Sequence, residues 1–335
     1  MDPIFIIGTE RSGTNMLRLM LDAHPSICVP HPPHIFKNFY PLLSKYGDLD
    51  KEDNLRCLVN DVVRSVELHH YQWPLGIDRE KVFSASLGKG LAGVFGAVYD
   101  QYLAHTGKKR WACKSTFMIH HVDLMREVYP GAKFIYMVRD GRDVALSARD
   151  SIFSDYSVYY SALRWKREQD LGEQLLERLK EDDIILLKYE ELIKDTEKEL
   201  KRISGFIREE FFPGMLKFFN TREAAKSAGI SLAWRNTGRP VMSGNSGKFL
   251  AGLSEKEIEL FETIAGKELR RFGFELVNKD PKARFGPLSL TFFFIEENVR
   301  KALVEIKHLF TDKNNVLRFK KSLFLWSIYL KKRKR

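Results

Sequence analysis

Two short stretches of this chain hold residue types suited to gripping a phosphorylated ligand. The first is FIIGTERSGTN, in which an apolar run meets Gly8 and Gly13, separated by four residues, before a helical pattern opens at Thr14. Glycines let the backbone turn tightly and present N–H groups to phosphate oxygens at the positive end of a helix. Ser12, Thr14 and Asn15 add side-chain donors, and Arg11 is the loop's cation. A nucleoside triphosphatase would carry Lys after the second glycine, then Ser or Thr for magnesium. Here those places hold Thr14 and Asn15, which argues against ATP or GTP hydrolysis. The second stretch is KFIYMVRDGRDVALS, residues 133–147. A strand ending at Val138 puts Arg139 at its carboxyl edge, where open α/β sheets bind ligands. Ser147 falls eight residues on, two turns into the next helix. Arg offers a planar charged fork and Ser a short hydroxyl donor, a pair suited to phosphate.

Together the two stretches resemble the sulfotransferases that use 3′-phosphoadenosine 5′-phosphosulfate (PAPS). In that family one loop grips the 5′-phosphosulfate and an Arg-x7-Ser element grips the 3′-phosphate. Residues 11–15 (Arg11, Ser12, Gly13, Thr14, Asn15) and Arg139 with Ser147 match those elements, and RSGTNMLRLMLDAHP, residues 11–25, looks like the tyrosylprotein and bacterial branches. Lys114 in WACKST, residues 188–190 in LLKYEEL, and Gly247, Lys248 and Phe249 extend the likeness over most of residues 3–275. Glu10 departs from it, standing where the family has Pro.

The resemblance implies in-line transfer of a sulfuryl group from PAPS to a hydroxyl or amine, leaving adenosine 3′,5′-bisphosphate (PAP), without a metal. Arg11 then contacts the phosphosulfate, Lys114 the transferring group and Tyr189 the nucleotide. Arg239 and Lys248, in the glycine-rich stretch 235–248, occupy the place of the family's late basic loop over the 3′-phosphate. The acceptor hydroxyl also needs a base. Related enzymes use Glu or His, and in the tyrosylprotein branch a Glu follows the D-A-H-P element. This chain has no Asp or Glu between Ser26 and Tyr46, so His31 is the first candidate and His34 the second, an imidazole titrating near neutrality. The rival is a nucleotide or small-molecule kinase with a degenerate phosphate loop.

A metal site is not expected. His31 and His34 are separated by two prolines with no third ligand near in sequence, and the neighbours His69–His70 and His120–His121 would not share a helix face. His24 reads as fixing a helix end.

These residues need a scaffold, and short apolar runs alternating with longer amphipathic segments predict an α/β fold. The expected architecture is a P-loop-like core, a central parallel sheet flanked by helices, with a C-terminal helical appendage. Strands are expected at 4–7, 111–113, 133–138 and 184–187, and helices at 14–23, 119–129, 142–148, 157–181, 195–207 and 254–272. In 157–181 the apolar stripe is read as Leu163, Leu171, Leu175, Leu176 and Leu179. Residues 25–47, with five of the chain's twelve prolines, read mostly as loop. Residues 51–110 read as mixed, mainly helical and without a sharp signature, and 220–252 as irregular. The expected division is a sulfotransferase domain over 1–280, with 31–110 an acceptor-side insertion, and a basic, aromatic-rich appendage over 281–335.

The 335 residues are 44% hydrophobic and 30% charged, enough apolar content for a core, which excludes wholesale disorder. A net charge of +11 favours anionic partners. No nucleic-acid partner is expected, because the basic residues are not interleaved with stacking aromatics in a known pattern. Cys28, Cys57 and Cys113 form no disulfide or zinc framework, which suits a reducing compartment. The opening residues hold no basic leader, and no run reaches spanning length, so a cytoplasmic protein is expected. At the C-terminus an apolar, aromatic stretch, 322–330, precedes five basic residues, 331–335. That pattern fits peripheral contact with an anionic inner membrane face or a packing helix with a solvated tail. The acceptor is left open among small molecule, lipid, carbohydrate and peptide.

Overall fold

The structure, a computed structural model, describes residues 2–149, 151, 155–230, 232–283, 285–311 and 314–331. Of the basic C-terminal run, residues 332–335 lie outside the described residues. Along the chain, β1 (Ile4–Gly8) leads to α1 (Thr14–Asp22), β2 (Ile27–Cys28) and α2 (Ile35–Phe39). Next come α3 (Glu52–Glu67), α4 (Arg79–Ser86), α5 (Gly90–Thr106), β3 (Arg110–Lys114) and α6 (Val122–Val128). Then follow β4 (Lys133–Val138), α7 (Gly141–Ala148), α8 (Val158–Arg178), β5 (Ile184–Lys188), α9 (Tyr189–Lys194) and α10 (Thr196–Phe206). Last are α11 (Arg222–Ala228), α12 (Phe249–Gly252), α13 (Glu255–Arg271), α14 (Pro287–Thr311) and α15 (Asn315–Leu330).

The five strands form one parallel central sheet flanked by helices, in the order β2-β3-β1-β4-β5. Every residue of β1 and β4 is buried. That is the burial a parallel sheet covered on both faces requires, and it explains why these strands read as unbroken apolar runs. The chain divides into two compact units. One comprises residues 1–5, 21–133 and 313–335; the other comprises 6–20 and 134–312.

Several expectations need correction. Residues 25–47 are not mostly loop: they hold β2, α2 and a 3-10 turn over Tyr40–Lys45. Pro41 starts that turn, a position that has no N–H to lose, and Ile35, Phe36 and Phe39 bury the inner side of α2. The helix expected from 119 begins as a 3-10 turn, Thr116–His121, before α6. The stretch 220–252 contains α11, a 3-10 turn over Leu232–Gly238, and α12. In α8 the inward stripe is only partly the leucine series: Leu175 and Leu179 are buried, Leu171 and Leu176 are half-buried and Leu163 is exposed. Ala162, Trp165, Gln169, Gly172 and Leu175 face inward. Gly172 is required there, because a Cβ would stand 2.0 Å from Tyr136 Cζ.

Candidate active site

The two stretches expected to grip phosphate both lie in the unit of residues 6–20 and 134–312, and they converge. Gly8, at the end of β1, has φ +133°, and a Cβ there would stand 2.2 Å from the Met137 carbonyl oxygen. The chain can therefore leave the strand here only as glycine. Gly13 has φ +87°, and its Cβ would stand 2.4 Å from Tyr189 Cδ2, so the loop rests directly on the Tyr189 ring. Between them Arg11 adopts φ +70°, an uncommon backbone for a residue with a side chain.

Arg11 Nε donates to Ser147 Oγ at 3.1 Å. Arg139 Nη1 donates to the Arg11 carbonyl at 3.1 Å, and its guanidinium lies over the Tyr189 ring, 4.5 Å from the centroid. The motif at residue 11 and the motif at residues 139 and 147 thus form one corner. It is strongly cationic: burial, then the Arg139 charge, lowers Arg11 to about 10, so Arg11 is still charged at neutral pH. Ser147 accepts from Arg11 and keeps its own O–H to donate. Ser12 Oγ and Arg139 Nε are buried donors with no acceptor among the described residues, which a bound phosphate would satisfy.

The supports of this corner were mostly invisible in the sequence. Asp143 on α7 accepts from Gly247 N at 2.8 Å and Phe249 N at 2.9 Å and lies 3.6 Å from Arg139 Nη2. That nitrogen donates to the Asn245 carbonyl at 3.1 Å, and the Asn245 amide donates to the Tyr189 hydroxyl. The late loop is held by its backbone, while the side chains expected to act there, Arg239 and Lys248, are exposed. Asn15 uses its amide to donate to Ser227 Oγ at 3.1 Å and to accept from Arg18 Nε at 2.8 Å. Arg18, fully buried on α1, is paired with Glu223 at 2.8 Å. The Asn15 side chain therefore ties α1 to α11. Thr14 is buried at the start of α1, where the first N–H groups have no intrahelical acceptor. Glu10, the departure from the family pattern, forms an ion pair with Arg164 at 3.3 Å.

The candidate bases lie in the other unit, in a histidine cluster the sequence reading missed. His31 stacks on Tyr71 at 4.5 Å between centroids and lies 5.4 Å from His69 and 5.8 Å from His70. His34 is 6.5 Å from His31 and 5.9 Å from His69. His69 and His70 follow the end of α3 rather than continuing it, so the helical spacing used to separate them does not apply. Trp73 Nε1 pins the loop by donating to the His31 carbonyl at 2.9 Å.

Burial holds His34 and His69 well below the usual imidazole value, helped at His34 by His69, Lys37, Lys114 and Lys321 and at His69 by Lys321, His70 and Arg318. Both are neutral near pH 7, and His34 does not titrate near neutrality as expected: burial makes it a weaker base than a solvated imidazole. Lys114 ends β3, near enough for its charge to act on His34. His24 Nδ1 accepts from Ser26 N at 3.1 Å, closing the turn after α1. Among the described residues no group of three or more His, Cys, Asp and Glu is arranged to hold a metal.

Residues 3–213 match the family model described as the sulfotransferase family. The chain belongs to the sulfotransferase family. It is similar to protein-tyrosine sulfotransferase A of Caenorhabditis elegans, with 24% identity over 210 residues, 61% of this chain and 49% of that protein. The chain spans about half the length of the curated relatives it matches. Its fold is that of the sulfotransferase domain from the curacin biosynthetic pathway, with TM-score 0.56 and 16% identity, covering 82% of this chain and 98% of that one. It is also that of the sulfotransferase domain of the Synechococcus PCC 7002 olefin synthase, with TM-score 0.52 and 20% identity, covering 79% and 94%.

Proposed function

We propose that this chain transfers a sulfuryl group from PAPS to an acceptor hydroxyl or amine and releases PAP. The observation that carries the reading is the junction of Arg11, Ser147 and Arg139 in one half-buried corner. Two guanidiniums close enough for one to depress the other's pKa are stabilised by an anion between them. The buried donors on Ser12 and Arg139 supply hydrogen bonds for it. Residues 11–15 take the 5′ end of the nucleotide; Arg139 and Ser147 take the 3′-phosphate.

Tyr189 supports both, and Arg239 and Lys248 add positive charge from the late loop. As the sulfuryl group departs, negative charge grows on the leaving phosphate, and Arg11 stabilises it. Lys114 is assigned to the transferring group, and His31, with His34 second, to the acceptor proton. The site is assigned no metal. The relatives' name makes a peptide tyrosine hydroxyl the first acceptor to try, before small-molecule, lipid and carbohydrate hydroxyls. Three cysteines without a framework support a reducing, cytoplasmic setting.

The test is incubation of the purified chain with sulfur-labelled PAPS and tyrosine peptides or cell extract, in the presence of a chelator. Labelled product and PAP are expected from the wild type, falling by about 10²–10³-fold in Arg11→Ala. Turnover of ATP with magnesium, and none of PAPS, would replace this reading with the kinase one.

A further inference from the structure

We infer that the outward face of α15 docks on an anionic lipid surface. Val316, Phe319, Leu323, Trp326 and Leu330 are each exposed, from 48% for Leu323 to 65% for Val316 and Phe319. Their spacing is three, four, three and four residues. At about 100° per residue the five side chains fall within an arc of about 80°, a continuous apolar stripe along the helix. Stripes of that kind are seldom left bare to water.

The opposite side of the same helix is anchored in its own unit. Ile328 is fully buried, Lys321 Nζ donates to the Pro33 carbonyl at 3.1 Å, and Lys331 Nζ donates to Asp61 at 3.1 Å. Lys45 donates to the Lys331 carbonyl at 2.9 Å and lies over the Tyr329 ring. With the inward side fixed in this way, the stripe faces outward.

Charge identifies the occupant. From residue 314 to residue 335 the sequence carries eight Lys and Arg and no Asp or Glu; Lys321 and Lys331 are engaged on the inward side, which leaves six others. Lys320 is exposed at the edge of the stripe. An apolar band containing Phe, Trp and Leu, edged by cations and free of acids, matches the boundary between acyl chains and anionic headgroups. A second copy of the chain fits less well, because pairing two such faces would bring like charges together. Among the described residues no helix is long and apolar enough to cross a membrane, so the mode is lying on the surface. This inference does not depend on the sulfotransferase activity.

The experiment is flotation of the full chain with vesicles of phosphatidylcholine alone, or of phosphatidylcholine and phosphatidylglycerol in equal parts. Binding to the anionic vesicles more than about tenfold tighter than to the neutral ones is expected, and high salt should abolish it. The triple variant Phe319→Ser, Leu323→Ser, Trp326→Ser should keep the wild-type melting temperature and lose binding. Brominated lipid should quench the wild type's fluorescence more than that of Trp326→Phe. Failure to bind anionic vesicles, undiminished binding by the triple variant, or equal quenching of Trp326→Phe would each overturn the proposal. So would a wild-type dimer that the triple variant converts to a monomer in sedimentation velocity.

Discussion

Arg11 carries its charge in an unfavourable place: a left-handed backbone, beside Arg139 and largely out of water. A residue held that way costs about 1–2 kcal/mol in backbone strain alone, and the expectation is that ligand binding compensates. Arg11→Gly removes both strain and charge, so its melting temperature without ligand should equal or exceed that of the wild type while turnover collapses. A large drop in melting temperature would mark Arg11 as a structural strut instead. His31→Ala should lower kcat with PAP affinity unchanged; if His34→Ala alone behaves so, the base is His34. Glu168 on α8 gives a pH signature. Burial raises its pKa from 4.5 to about 7, so between those values the folded state holds more protons than the unfolded one. Its contribution to stability therefore falls as pH rises from about 4.5 to 7 and stays low above. Glu168→Gln should raise the melting temperature at pH 8 and less so at pH 5; an equal change at both would refute this origin.

At the scale of elements, α7 does two jobs. It carries Ser147, and through Asp143 it holds the backbone of residues 247–249. Asp143→Ala leaves two N–H groups without their acceptor, which should destabilise the protein by about 2 kcal/mol or more. Hydrogen exchange at residues 247–249 should rise with it; unchanged exchange there would show the loop is held otherwise. This clasp was not legible in the sequence, because an Asp and a loop about a hundred residues later give no local signal. The strands read at 4–7 and 133–138 and the helix after Gly13 were legible, since burial on both faces and a glycine turn write themselves into composition; the strand read at 184–187, at the sheet edge and partly exposed, was legible from its short apolar run. The helix α2 was hidden by the prolines around it. The histidine cluster was hidden because a spacing rule for helices was applied to residues lying beyond one.

For the whole molecule, the net charge of +11 should speed capture of a nucleotide that carries more than two negative charges, with an on-rate that declines as salt rises. The family match covers residues 3–213, whereas the corner described above also draws on Asn245 and on the Asp143 clasp to residues 247–249. Binding should therefore depend on both stretches. The most direct measurement is the thermal shift by PAP compared with AMP, for the wild type and Arg139→Ala. A ligand at a hundred times its Kd adds about 2.7 kcal/mol to stability. PAP should raise the wild-type melting temperature by several degrees while AMP adds little, and Arg139→Ala should lose most of the PAP shift. Equal shifts from PAP and AMP, or a PAP shift that survives Arg139→Ala, would contradict a corner built to recognise a nucleotide phosphorylated at both ends of its ribose.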